Sequence, residues 1–121
     1  MSCDKKILIV DDECLSSLAL GEYLQELGYS TVGYAADGPE ALRKFEAELP
    51  DIIFLDLKLR GSMDGLELGG KISQKKDVPI IIITGYSGPH VFSRQPTFVP
   101  AAVLVKPIDY NDIKNVISVI G

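Results

Sequence analysis

The sequence is short of the features that mark several common activities. Basic residues are outnumbered, 12 Lys and Arg against 17 Asp and Glu, for a net charge of −5. Lys75-Lys76 and Arg43-Lys44 are isolated pairs that read as solvated helix surface, so no basic patch marks a nucleic-acid partner. No run approaches the ~18 apolar residues of a membrane span. The N-terminus enters an apolar strand pattern without the organisation of a signal peptide, which predicts a cytoplasmic protein. The two cysteines, Cys3 and Cys14, have no metal-ligand spacing and read as free thiols in a reducing compartment. The single histidine, His90, stands beside Pro89 and reads as a solvent-exposed loop residue. Internal repeats and low-complexity stretches are missing too.

What remains is an ordinary globular composition, 46% hydrophobic and 24% charged, in 121 residues. That length predicts one domain over residues 1–121, with one core. Short apolar runs alternate with helical patterns five times. Strands are expected at Lys6–Val10, 31–34, 52–55, 78–83 and 102–105. Fully apolar strands between helices imply a buried parallel sheet with helices on both faces.

The first helix is expected over about 13–27, with Leu15, Leu18, Ala19 and Leu27 as its apolar stripe and Gly28 as its stop. Pro39 opens a second helix whose inward face is Ala41, Leu42, Phe45 and Leu49, and Pro50 closes it. A third helix lies near 66–73. In the last, Asp109 and Asp112 have capping-box spacing ahead of a buried stripe of Ile113, Val116, Ile117 and Ile120. Residues 85–99, with Gly88, Pro89 and Pro96, predict a fourth helical segment that is short and irregular.

The strand ends carry the chemistry. The first runs into Asp11 and Asp12, the third into Asp56, the fourth into Thr84 and the fifth into Lys106-Pro107. Ligands of such a sheet sit at the carboxyl ends of its strands, so these side chains converge on one rim. Asp11 or Asp12 can cap the first helix, but capping does not explain Asp56 after a different core strand. Asp51, at the opposite strand end, is expected to be exposed. Three close carboxylates call for a hard cation; Mg2+ suits them, because it takes one or two carboxylates and keeps waters or phosphate oxygens. A cis Lys106-Pro107 peptide would turn the lysine inward.

Over nearly its whole length the chain resembles the receiver domain of two-component response regulators. The matching runs are I-L-I-V-D-D-E (residues 7–13), D-I-I-F-L-D-L (51–57), I-I-I-I-T-G-Y (80–86) and V-L-V-K-P (103–107). The resemblance implies a flavodoxin-like sheet of order 2-1-3-4-5. It implies a phosphoryl group taken by Asp56 from a sensor histidine kinase or histidine phosphotransfer protein. By the same analogy Asp12 is the direct Mg2+ ligand, Asp11 acts mainly through water, and the Lys58 backbone carbonyl adds a ligand. Thr84 and Lys106 would bind phosphoryl oxygens. The reading is of a phosphoacceptor signalling domain with slow self-dephosphorylation, controlling an unidentified downstream protein as a monomer or weak dimer.

The departures from the pattern matter. Val103 stands where the family has an aromatic switch residue, and the loop at 57–64 is one residue longer and lacks the usual proline. With T-G-Y, these features resemble the FATGUY-type receivers that often stand alone; Met1 and the lack of a linker tail fit that expectation, against a piece of a hybrid kinase. Lys58 and Tyr86, two beyond Asp56 and Thr84, are expected to hinder hydrolytic water. Tyr86 and Phe92 could equally line a docking surface or cover the core. Two other functions share parts of the pattern. A small Mg2+-dependent aspartyl-phosphate phosphatase needs an acidic residue two beyond its nucleophile, where this chain has Lys58. A flavin-binding protein needs a Ser/Thr/Gly-rich loop where this chain has Asp11-Asp12-Glu13.

Overall fold

The structure, a computed structural model, describes residues 5–85 and 96–120. Nine elements follow in chain order: β1 (Lys6–Val10), α1 (Cys14–Glu26), β2 (Ser30–Ala35), α2 (Gly38–Glu48), β3 (Ile52–Asp56), α3 (Gly65–Lys75), β4 (Ile80–Thr84), β5 (Ala102–Val105) and α4 (Tyr110–Ile120). The strands form one parallel sheet in the order β2-β1-β3-β4-β5. β4 starts two residues later than the apolar pattern suggested, at Ile80. Pro79 lacks a donor for the ladder, and its carbonyl accepts the Ile53 N–H instead (3.0 Å).

Alternate residues of the inner strands feed two cores. On one face Leu8, Val10, Ile53, Leu55, Ile80 and Ile82 pack with Ala41 and Phe45 of α2 and Leu66, Leu68 and Ile72 of α3. On the other, Ile7, Ile9, Phe54, Ile81 and Ile83 pack with Leu20 and Leu24 of α1 and Ile113 and Ile117 of α4. Helices thus cover both faces, as the apolar strands required. Each fully buried aliphatic side chain contributes about 1.5–3 kcal/mol. The edge strands are less covered: β2 buries only Ala35, and in β5 Ala102 and Leu104 are half-buried while Val103 and Val105 are exposed.

Three helix details differ from the sequence expectations. The buried face of α1 is Ser17, Leu20, Gly21 and Leu24, while Leu15, Leu18 and Ala19 face outward and Leu27 is half-buried. Gly21 lies under the Tyr34 ring, where a β-carbon would collide with the phenol oxygen. In α2, Asp37 is the N-cap and accepts the Glu40 N–H (2.8 Å), with Pro39 second in the helix. Leu49 is not inward: it ends α2 in the left-handed region (φ 50°) and is exposed. The α4 capping box is present, with Asp112 N–H donating to Asp109 Oδ1 (2.9 Å) and Asp109 N–H to Asp112 Oδ2 (3.2 Å). Of the expected irregular fourth helical segment, residues 86–95, with Tyr86, His90 and Phe92, lie outside the described residues, as does Cys3; its described ends, 85 and 96–99, are not helical.

Candidate functional site

Sheet register builds the rim. Val10 pairs with Leu55, so Asp11 and Asp56 are neighbours where β1 and β3 end. Asp56 pairs with Ile83 and Thr84 with Val105, which sets Thr84 beside the acceptor strand and Lys106 one step past β5. The Lys106 N–H donates to the Thr84 carbonyl (2.7 Å), tying these two positions through the main chain. Asp11, Asp56 and Thr84 are all buried.

The loop after Asp56 is held close as well. Lys58 N–H donates to Asp56 Oδ1 (3.0 Å), and Gly65 N–H to the Leu57 carbonyl (2.9 Å). A β-carbon on Gly65 would collide with the Asp56 carbonyl, so glycine lets α3 start directly against the acceptor strand. Farther out, Arg60 N–H donates to the Ala36 carbonyl (3.1 Å), stitching the longer loop to the end of β2.

Asp11, Asp12 and Asp56 can each present a carboxylate oxygen with all three within 4.8 Å of one another. The Lys106–Pro107 peptide is cis, and the Lys106 Nζ reaches Asp56 Oδ2 (2.8 Å), Glu13 Oε1 (3.0 Å) and Asp11 Oδ2 (3.1 Å). Burial pushes the Asp11 carboxyl up to about 6; the Glu13 N–H and Lys106 oppose this, and the Asp56 charge adds to it. For Lys106 burial favours the neutral amine. The hydrogen bonds to Asp56, Glu13 and Asp11 outweigh it and raise the pKa, so the lysine is held as an ammonium. Crowded, partly neutralised carboxylates of this kind fit a hard divalent cation with oxygen ligands.

Sequence reasoning placed Asp11, Asp12, Asp56, Thr84 and Lys106 at strand ends, and the structure brings them to one rim. It differs on capping. Neither Asp11 nor Asp12 caps α1; Glu13 is the N-cap residue, and Asp11 Oδ1 accepts the Glu13 N–H (2.9 Å) just before the helix. Lys58 meets Asp56 through its N–H, with its side chain exposed. Asp51 is exposed at the far end of β3, as expected, and accepts the Lys6 N–H (2.8 Å). Sequence reading missed Glu13 as a partner of Lys106. Its adjacency to the two aspartates was the available signal.

A doubly wound sheet of this order with an acidic rim and an inward lysine defines the receiver class of signalling domains. The chain belongs to the response regulator receiver domain family, whose family model matches residues 7–118. It is 35% identical over 109 residues to the transcriptional regulatory protein PdtaR of Mycobacterium tuberculosis, covering 90% of this chain and 53% of that protein. It therefore spans about half the length of that relative. Sporulation initiation phosphotransferase F of Bacillus subtilis is 31% identical over 116 residues, covering 95% of this chain and 92% of that one. Among solved structures, the signal receiver domain of a modulated diguanylate cyclase from Desulfovibrio desulfuricans G20 superposes with a TM-score of 0.87 at 30% identity, covering 98% and 94% of the two chains. The chain is thus a receiver domain of the two-component response regulator family. No helix among the described residues is long and apolar enough to cross a membrane.

Proposed function

We propose that residues 1–121 form one receiver domain in which Asp56 accepts a phosphoryl group from a phosphohistidine of a sensor kinase or histidine phosphotransfer protein. The carrying observation is the shared contact of Lys106 Nζ with Asp56 and Asp11, which gathers residues 50 and 95 positions apart onto one charged rim. Asp11 and Asp12, with Asp56 and the Lys58 carbonyl, would hold Mg2+. When bound, Mg2+ supplies charge neutralisation at the phosphoryl oxygens and orientation of the group for in-line attack.

The chain's own groups do the rest. Lys58 N–H and Lys106 Nζ hold the two Asp56 oxygens and so fix the plane of the carboxylate. A carboxylate oxygen attacks phosphorus, the P–N bond breaks, and the imidazole leaves with the bonding pair. Lys106 and the Thr84 hydroxyl stabilise the transferred group by charge-assisted hydrogen bonds. Hydrolysis later returns the carboxylate and inorganic phosphate, slowed by Lys58 at the pocket edge.

A protein phosphodonor is supported by the ground beside the rim. A cavity of about 410 Å³ lies between α1 and the segment after β5, lined by Ser16, Ala19, Tyr23, Lys106, Pro107 and Ile108. Leu15 and Leu18 are exposed on the same helix. An apolar face next to a buried acceptor suits a helix that presents a modified histidine, in a cytoplasmic setting. The phosphatase alternative has no comparable support, because the position two beyond Asp56 contributes an N–H and an exposed lysine.

The direct test is mass spectrometry after incubation with acetyl phosphate and magnesium. One phosphoryl group should add to the wild type, none to Asp56→Asn, and peptide mapping should place it on Asp56. Undiminished labelling of Asp56→Asn would overturn the assignment.

A further inference from the structure

The Lys106 ammonium has three N–H donors and meets three carboxylates, at 2.8, 3.0 and 3.1 Å. Two of these, Asp56 and Asp11, belong to the three-carboxylate cluster; the third, Glu13, does not. The difference has an electrostatic consequence. A divalent cation among the aspartates takes over their charge and repels the ammonium, loosening two of the three contacts that hold Lys106 inward. Glu13 keeps its full attraction.

The position of Glu13 fits that task and no ordinary structural one. Its side chain is 62% exposed, against 1% for Asp11 and 7% for Asp56, so it approaches Lys106 from the solvent side. Its main chain is fixed on both sides, by its N–H on Asp11 Oδ1 (2.9 Å) and its carbonyl accepting the Ser17 N–H (3.1 Å). An N-cap side chain usually accepts a backbone N–H of the first turn. The Glu13 carboxylate makes no such bond and reaches across to Lys106.

We propose that Glu13 is a positioning residue for Lys106: its carboxylate holds the ammonium at the rim while the aspartates engage a divalent cation and the phosphoryl group. The inference deepens the phosphoacceptor reading above and rests on it. Glu13 does not touch the phosphoryl group; it acts through the lysine, leaving two N–H donors directed at the acceptor and its new oxygens.

Three variants separate contact from charge. Glu13→Ala removes both, Glu13→Asp keeps the charge but shortens the reach by one methylene, and Glu13→Gln keeps the reach and an acceptor oxygen without the charge. The first readout needs no phosphodonor: exchange of the Lys106 ammonium protons, followed by nitrogen NMR with and without magnesium. The wild-type signal should survive magnesium, while in Glu13→Ala and Glu13→Gln it should broaden when magnesium is added. The second is the initial rate of Asp56 phosphorylation by acetyl phosphate at saturating magnesium. Glu13→Ala and Glu13→Gln should be slower by roughly threefold to fivefold, the scale of a partly exposed ion pair, with Glu13→Asp intermediate.

Equal rates in all four proteins overturn the proposal. So does a pattern in which Glu13→Gln matches the wild type, because the charge of Glu13 would then play no part. A wild-type ammonium signal as broad in magnesium as that of Glu13→Ala overturns it as well. If the wild type takes up no phosphoryl group, the phosphoacceptor reading fails by itself, and the ammonium measurement still decides whether Glu13 holds Lys106.

Discussion

Asp11 carries the clearest electrostatic cost in the metal-free protein. Burial raises its carboxyl from 3.8 to about 6, so the folded chain holds this proton more tightly than the unfolded chain. Stability from this group therefore falls as pH rises between about 4 and 6, and is level above. Asp11→Asn cannot lose that proton. Its stability relative to the wild type should rise through the same window and then stay constant, as urea denaturation at several pH values without magnesium would show. At this scale the site was largely legible, because strand ends in a parallel sheet converge whatever the side-chain rotamers. The Glu13–Lys106 contact was not, since it depends on how a long side chain at a helix start is turned.

Among the elements, α1 shows where periodicity stops being decisive. Its surface is apolar nearly all round, with Leu15, Leu18, Ala19, Leu20, Tyr23 and Leu24, so several faces satisfy a 3.6-residue repeat. The sheet selects the face carrying the small residues Ser17 and Gly21, which allow close approach, and a search for large apolar residues passes over them. Leu24→Ala should cost about 2–5 kcal/mol in urea unfolding, the range for a buried leucine. Leu15→Ala should stay within about 0.5 kcal/mol while weakening phosphotransfer from a protein donor more than from acetyl phosphate. At α4 the reciprocal bonds of Asp109 and Asp112 were readable from spacing alone. Asp109→Ala should lower stability by about 1 kcal/mol, measured the same way. Edge strand β5 was read as buried like its neighbours because composition does not reveal which strand lies outermost.

For the whole molecule, the two-faced core followed from the apolar runs and the helices between them, while the strand order came from the resemblance to receiver domains. The registers that set Asp11 beside Asp56, and Thr84 beside Lys106, needed the folded sheet. Magnesium binding couples the rim to global stability by mass action. At ten times Kd it should add about 1.4 kcal/mol, raising Tm by roughly 4–8 °C. Asp12→Ala should lose most of that rise in a thermal melt; an undiminished rise would remove Asp12 from the ligand set.

The strand order also sets a timetable for synthesis. No late strand inserts between earlier ones: β1, β2 and β3 form a block, and β4 and β5 then add in turn at one edge. The three aspartates are all made by residue 56, but Lys106 follows 50 residues later. At about 5–20 residues per second, the nascent acidic cluster waits roughly 3–10 s for its ammonium. During that interval the growing chain holds the aspartates of its rim without the lysine that joins them, so a chain halted before its fifth strand cannot assemble the complete rim.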